Sequence, residues 1–143
     1  MKNHAFHALG RRSFAAALLV VLVSFAGSAV AGTYLNRAVV LLSGASREAQ
    51  YLRARLGDKE LARVTLRMAT ARLDAARTMT VPKEVEQAHP HLLLVLENYQ
   101  QAAEAATLGE TERFAIYFQR AQDEERTFKA VLKQLGWLLP NPP

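Results

Sequence analysis

The sequence predicts an all-α protein: an antiparallel up-down-up-down four-helix bundle preceded by an N-terminal apolar signal helix. Three observations predict it. Apolar and small residues recur at 3-4 spacing through four segments after residue 32, no stretch alternates with the period of two that a half-buried strand requires, and glycine or proline punctuates each joint. The chain has 143 residues and no cysteine. That length suits one domain with a workable core, and the missing thiols exclude disulfides, a cysteine nucleophile, Cys-ligated zinc or iron–sulfur centres and a c-type haem attachment.

Residues 1–31 form the first expected unit. Lys2, Arg11 and Arg12 supply its only charges, the run Phe14 to Val23 is apolar, and Ala29-Val30-Ala31 ends it with the A-x-A pattern of a peptidase site. Export to the periplasm or beyond, with cleavage after Ala31, is the expectation. Arg11-Arg12-Ser13-Phe14 resembles the core of a twin-arginine signal, although Ala15-Ala16 depart from its usual continuation. The uncharged run from Ser13 to Ala31 is also long enough to serve as an uncleaved inner-membrane anchor, since a bilayer needs roughly 20 apolar residues. Any membrane association is expected through this segment alone.

The second unit, residues 32–143, carries the four segments. In the first, Leu35, Ala38, Leu42, Ala45, Ala49, Leu52 and Leu56 make one helix seam, and Ser43-Gly44-Ala45-Ser46 marks a close approach or a bend. Gly57 suits the left-handed position after a helix, and Asp58 can cap the next one. The second segment shows two adjacent seams, Leu61/Val64/Met68/Ala71/Ala75 and Ala62/Leu66/Ala69/Leu73/Ala76, which predict a broad buried face touching two neighbours.

The third seam runs Val85, Ala88, Leu92, Val95, Tyr99, Ala102 and Ala106, with Pro90 forcing a kink or a restart because an interior proline costs about 3 kcal/mol. Gly109 closes it and Thr111 is a candidate cap. The fourth seam is Phe114, Phe118, Ala121, Glu125, Phe128, Leu132 and Leu135, stopped by Gly136. Trp137 to Pro140 is expected to fold back over the end of the core. Each helix should span about 22–26 residues, with short loops setting antiparallel neighbours.

Charge divides the bundle. Residues 33–83 hold 10 basic and 4 acidic residues, a net +6, whereas residues 84–143 hold 5 and 9, a net −4. Pairing across the rims of the two hairpins is the first expectation. The stripe Arg63, Arg67, Asp74 and Arg77 is also a candidate docking face for an acidic protein or an anionic envelope surface. No aromatic-basic pattern points to nucleic acid. Much of the overall net charge of +5 belongs to residues 1–31, whose removal leaves 112 residues at +2.

Two places could carry chemistry. Glu86, His89 and His91 offer an E-x-x-H and a His-x-His around Pro90, a candidate zinc or copper set, but only half of a di-iron bundle site because no second E-x-x-H follows. Glu125 sits where the fourth seam wants an apolar residue. It needs a partner such as a first-hairpin arginine or one of the two histidines, unless Glu124 is the inward carboxylate. In size and topology the chain resembles small exported four-helix cytochromes of the b562 and c′ types. It has no Cys-x-x-Cys-His, no methionine in the first bundle segment and no histidine in the last, leaving Met68 with His89 or His91 as substitute haem ligands. The functional expectation is an exported, non-enzymatic bundle that acts by interaction and can homodimerise; the alternative is a bundle that binds a metal or haem.

Overall fold

The computed structural model describes the backbone of residues 11–142 and the side chains from residue 29 onward. The signal segment expected over residues 1–31 therefore lies almost wholly outside the described side chains. Among the described residues the chain is all-helical: α1 (Arg11–Arg53), α2 (Lys59–Arg77), a single 3-10 turn (Lys83–Val85), α3 (His89–Thr107) and α4 (Thr111–Gln134). There is no strand among them. No helix is long and apolar enough to cross a membrane among the residues whose side chains are described, which exclude the apolar run 14–23.

Each joint has a local cause. The Asp58 side chain accepts a hydrogen bond from the Leu61 N–H at 2.9 Å, which satisfies one of the free donors at the start of α2. Pro90 lies in the first turn of α3, where its missing N–H costs nothing, so the chain takes the restart and not the kink. Gly109 and Gly136 adopt φ of 75° and 84°. Beyond each, the next N–H turns back onto the helix it has just left: Glu110 donates to Ala105 and Trp137 to Leu132, both at 2.9 Å.

α3 is the helix on which the others assemble, packing most extensively against α4, then α2, and also against α1. Its composition explains this. Beyond the expected seam, Leu96, Ala103 and Ala105 are buried too, so the helix is covered on several sides and its alanines let neighbouring backbones come close. The core joins Leu42 and Leu52 of α1, Leu73 of α2, Leu92 and Tyr99 of α3, and Phe114, Phe118 and Phe128 of α4. Each such side chain, fully buried, contributes roughly 1.5–3 kcal/mol of hydrophobic transfer energy. α1 meets α4 where the Arg53 guanidinium lies 5.4 Å from the Phe118 ring centroid. Ala31, the residue expected to precede the signal cut, is itself fully buried.

Several expectations need correction. Gly57 has no positive φ; α1 ends at Arg53, and a turn stabilised by Arg55 N–H to Leu52 and Asp58 N–H to Arg55 carries the chain to α2. Thr111 begins α4 and does not cap it, the cap position being Glu110 with no side-chain hydrogen bond. α2 and α3 have 19 residues each, short of the expected length. Most important, one of the two α2 seams is not core: Val64, Met68, Ala71 and Ala75 are exposed, while Ala62, Thr65, Ala69, Leu73 and Ala76 are buried. α2 does touch two helices, but they cover a single face. The C-terminal segment folds back through Trp137 and Leu139, which pack against the core, while Leu138 is exposed.

Candidate interaction face

The uncovered α2 seam borders α1. The two helices are tied by Arg72, whose guanidinium grips both oxygens of the Glu48 carboxylate, Nη2 donating to Oε1 at 2.5 Å. Gly44 lies beneath that guanidinium: a Cβ there would stand 2.8 Å from Arg72 Nε and Nη2. At Gly44 the missing side chain makes room for the Arg72 side chain. To one side of this tie, Val64 and Met68 of α2 and Val40 and Tyr51 of α1 remain 40–54% exposed. Val40 and Tyr51 are apolar residues off the α1 seam, which is the signal by which the sequence could have flagged them. The Tyr51 ring is covered on one face by Arg55, its Cζ 4.0 Å from the centroid.

At one end the two rows close on a groove of about 600 Å³, lined by Thr33, Asn36, Arg37, Val40, Leu41 and, from α2 and its exit, Ala75, Thr78 and Met79. Its walls are largely apolar, and Arg37 is the charged residue among them.

The charge pattern on this face differs from the expected one. Among the described residues, no ion pair joins residues 33–83 to residues 84–142. The carboxylates of the basic hairpin are consumed inside it: Glu48 by Arg72, Glu60 by Arg63, Asp74 by Arg77, and Asp58 by the α2 cap. Arg63 and Arg77 of the expected stripe are therefore in local i,i+3 pairs, while Arg67, Arg37 and Arg47 form no ion pair among the described residues. The acidic hairpin behaves likewise, with Glu110–Arg113, Asp123–Arg126 and Glu125–Lys129 on its own helix. Adjacent helical turns capture each other's charges without ordering a second element.

The histidines diverge. His89 Nδ1 lies 3.1 Å from the Tyr34 hydroxyl of α1, and His91 Nδ1 lies 3.1 Å from Glu124 Oε2 of α4. Burial pushes the Tyr34 phenol well above its ordinary range and the His89 imidazole below its own. The two groups therefore meet as a neutral phenol and a neutral imidazole, joined by a hydrogen bond whose donor is set by the imidazole tautomer. Tyr34 is a residue the seam reading missed, since counting from Leu35 passes it over. Glu86 is exposed, and no group of three His, Cys, Asp or Glu side chains among the described residues is placed to hold a metal ion. Glu86, His89 and His91 are thus not brought together. Met68, the thioether considered for haem, is 40% exposed on the outer flank of α2.

Of the two candidate carboxylates, Glu124 finds a histidine and Glu125 does not. Glu125, 20% exposed, takes Lys129 Nζ at 2.6 Å, so its partner is neither a first-hairpin arginine nor a histidine. The buried Tyr99 hydroxyl has no hydrogen bond of good geometry. Burial raises the Tyr99 pKa, the Ser46 hydroxyl sits near enough to pull it back, and the Glu125 carboxylate pushes it up.

No family model, curated protein or solved structure matches this chain.

Proposed function

We propose that the chain is an exported, non-enzymatic helical module that works by docking its α1–α2 face on an acidic protein or an anionic envelope surface. Residues 1–31 would serve as its signal, or as an inner-membrane anchor if uncleaved, and the rest as an up-down-up-down bundle. One observation carries the reading: among the described residues the basic hairpin's charge is not neutralised by the acidic hairpin, and it surrounds apolar side chains that no described helix covers. Exposed apolar side chains with cations at their rim are the arrangement of an interface with a charge-steered approach.

The test is a pull-down from the native envelope with the wild-type chain and with Arg47→Glu/Arg67→Glu. Charge reversal at two exposed positions should leave the helical spectrum unchanged while removing the salt-sensitive partners from the eluate. An identical eluate contradicts the reading. A stoichiometric metal or a Soret band in the purified protein would overturn it in favour of a ligand-binding bundle.

A further inference from the structure

We infer that the groove at the end of the α1–α2 face is a binding site for a free, single-chain amphiphile with a terminal carboxylate. The inference concerns one end of the proposed docking face but stands apart from it, because a groove that takes no amphiphile leaves the pull-down result untouched.

Four features define the site. Its volume, about 600 Å³, falls within the range of roughly 300–1,000 Å³ typical of small-molecule sites. Val40, Leu41, Ala75 and Met79 give it apolar walls, and Ala75 is the last residue of the uncovered seam Val64/Met68/Ala71/Ala75, so the apolar surface continues out of the groove along α2. That continuity suits a chain longer than the groove itself.

The polar groups without a partner among the described residues lie on one side. Arg37 and Asn36 are successive residues of α1, and neither side chain has an ion-pair or hydrogen-bond partner among the described residues. Thr33 already donates to the Ala29 carbonyl at 3.1 Å, and Thr78 is within donating distance of the Asp74 and Ala75 carbonyls. The α2 wall is the negative end of a helix and holds Asp74 close by, paired to Arg77 at 3.5 Å. An anionic head is therefore drawn to the α1 side, where Arg37 offers a planar set of donors matched to a carboxylate and Asn36 one more.

Charge selects the occupant: one wall carries a guanidinium and an amide without partners among the described residues, which suit a single anionic head and not the neutral flank of a docked helix. One acyl chain with its head at Arg37 fits both the volume and the one-sided charge.

Binding is read with 1-pyrenedodecanoic acid, used below its aggregation threshold, against the full-length chain. The acid should bind saturably at one site, and its neutral methyl ester about tenfold more weakly, a difference of about 1.4 kcal/mol. Arg37→Ala should bring the acid down to the ester's affinity, and Ala75→Trp should abolish the site by filling it, with helicity retained. Should Ala75→Trp fail to fold, Val40→Trp fills the groove from the other wall. Equal binding of acid and ester overturns the proposal, as does binding that survives the filling variant, the signature of association with the apolar N-terminal segment. Binding of the protein to phosphatidylglycerol vesicles without uptake of the free acid also overturns it.

Discussion

Replacing Gly44 by alanine should destabilise the protein, although alanine is the better helix former by about 0.8–1.0 kcal/mol. The reason is the Arg72 guanidinium. A Cβ at position 44 would meet Nε and Nη2 at 2.8 Å and Cζ at 3.1 Å, contacts that force the side chain to move. Arg72 is not free to do so cheaply, because it holds both oxygens of Glu48, and the two side chains are only 19% and 24% exposed. Hydrogen bonds to charged groups contribute about 1.5–3 kcal/mol each, and partial solvent screening brings the whole pair to about 2 kcal/mol. Subtracting the propensity gain leaves a net loss of about 1 kcal/mol. In an Arg72→Ala background the obstacle and the pair are both gone, so the same Gly44→Ala change should stabilise by about 0.9 kcal/mol. The sign reverses, and the coupling between the two sites is about 2 kcal/mol. Urea unfolding of the four proteins, followed by helical ellipticity with a common m-value, measures it. A Gly44→Ala change that stabilises equally in both backgrounds would refute the packing of the Arg72 guanidinium over Gly44.

Other outcomes follow from the same structure. Stability should fall as pH drops below about 6.5, the ordinary value for His89, because the unfolded imidazole takes up a proton more readily than the half-buried, Tyr34-bonded one; a His89→Asn variant should lose much of that acid limb in pH-dependent melting. The mirror effect applies above pH 10.0, where the unfolded Tyr34 phenol ionises and the buried one does not, so Tyr34→Phe should flatten the alkaline limb. Gly109→Ala should cost about 1–2 kcal/mol for a left-handed residue at φ 75°, whereas Gly57→Ala, with open space and no positive φ, should be neutral or stabilising by about 0.4–1 kcal/mol. Glu125→Leu should change unfolding free energy by less than about 1 kcal/mol, since the lost Lys129 pair is worth roughly 0.3–0.5 kcal/mol and the leucine takes a position only 20% exposed.

Helical periodicity made the fold legible wherever one face of a helix meets one set of neighbours. The seams of α1 and α4 and the main seam of α3 are buried nearly residue for residue, because 3-4 spacing reads out a single stripe. It was ambiguous for α2 and α3, whose apolar residues are wider than a stripe. α3 hides Leu96, Ala103 and Ala105 among its partners but leaves Leu94 exposed, and α2 leaves Val64 and Met68 in the open. The number of neighbours a helix has is a tertiary property, and both sequences allow either outcome. Net charge misled in a similar way, since +6 and −4 invite pairing across hairpins, whereas residues one turn apart on the same helix reach each other first. The histidine cluster dissolved for a geometric reason: at about 100° per residue, His89 and His91 point to different sides of α3, one toward α1 and the other toward α4.

Photo-crosslinking in the native envelope tests the docking face most directly, with a photoreactive residue placed at Met68 on α2 and, separately, at Ile116 on α4, which are 40% and 44% exposed. Met68 should give a discrete adduct with an acidic protein or an anionic lipid that fades as salt is raised, and Ile116 should give none. Adducts from Ile116 alone, or the same adducts from both positions, would contradict a docking face on α1 and α2.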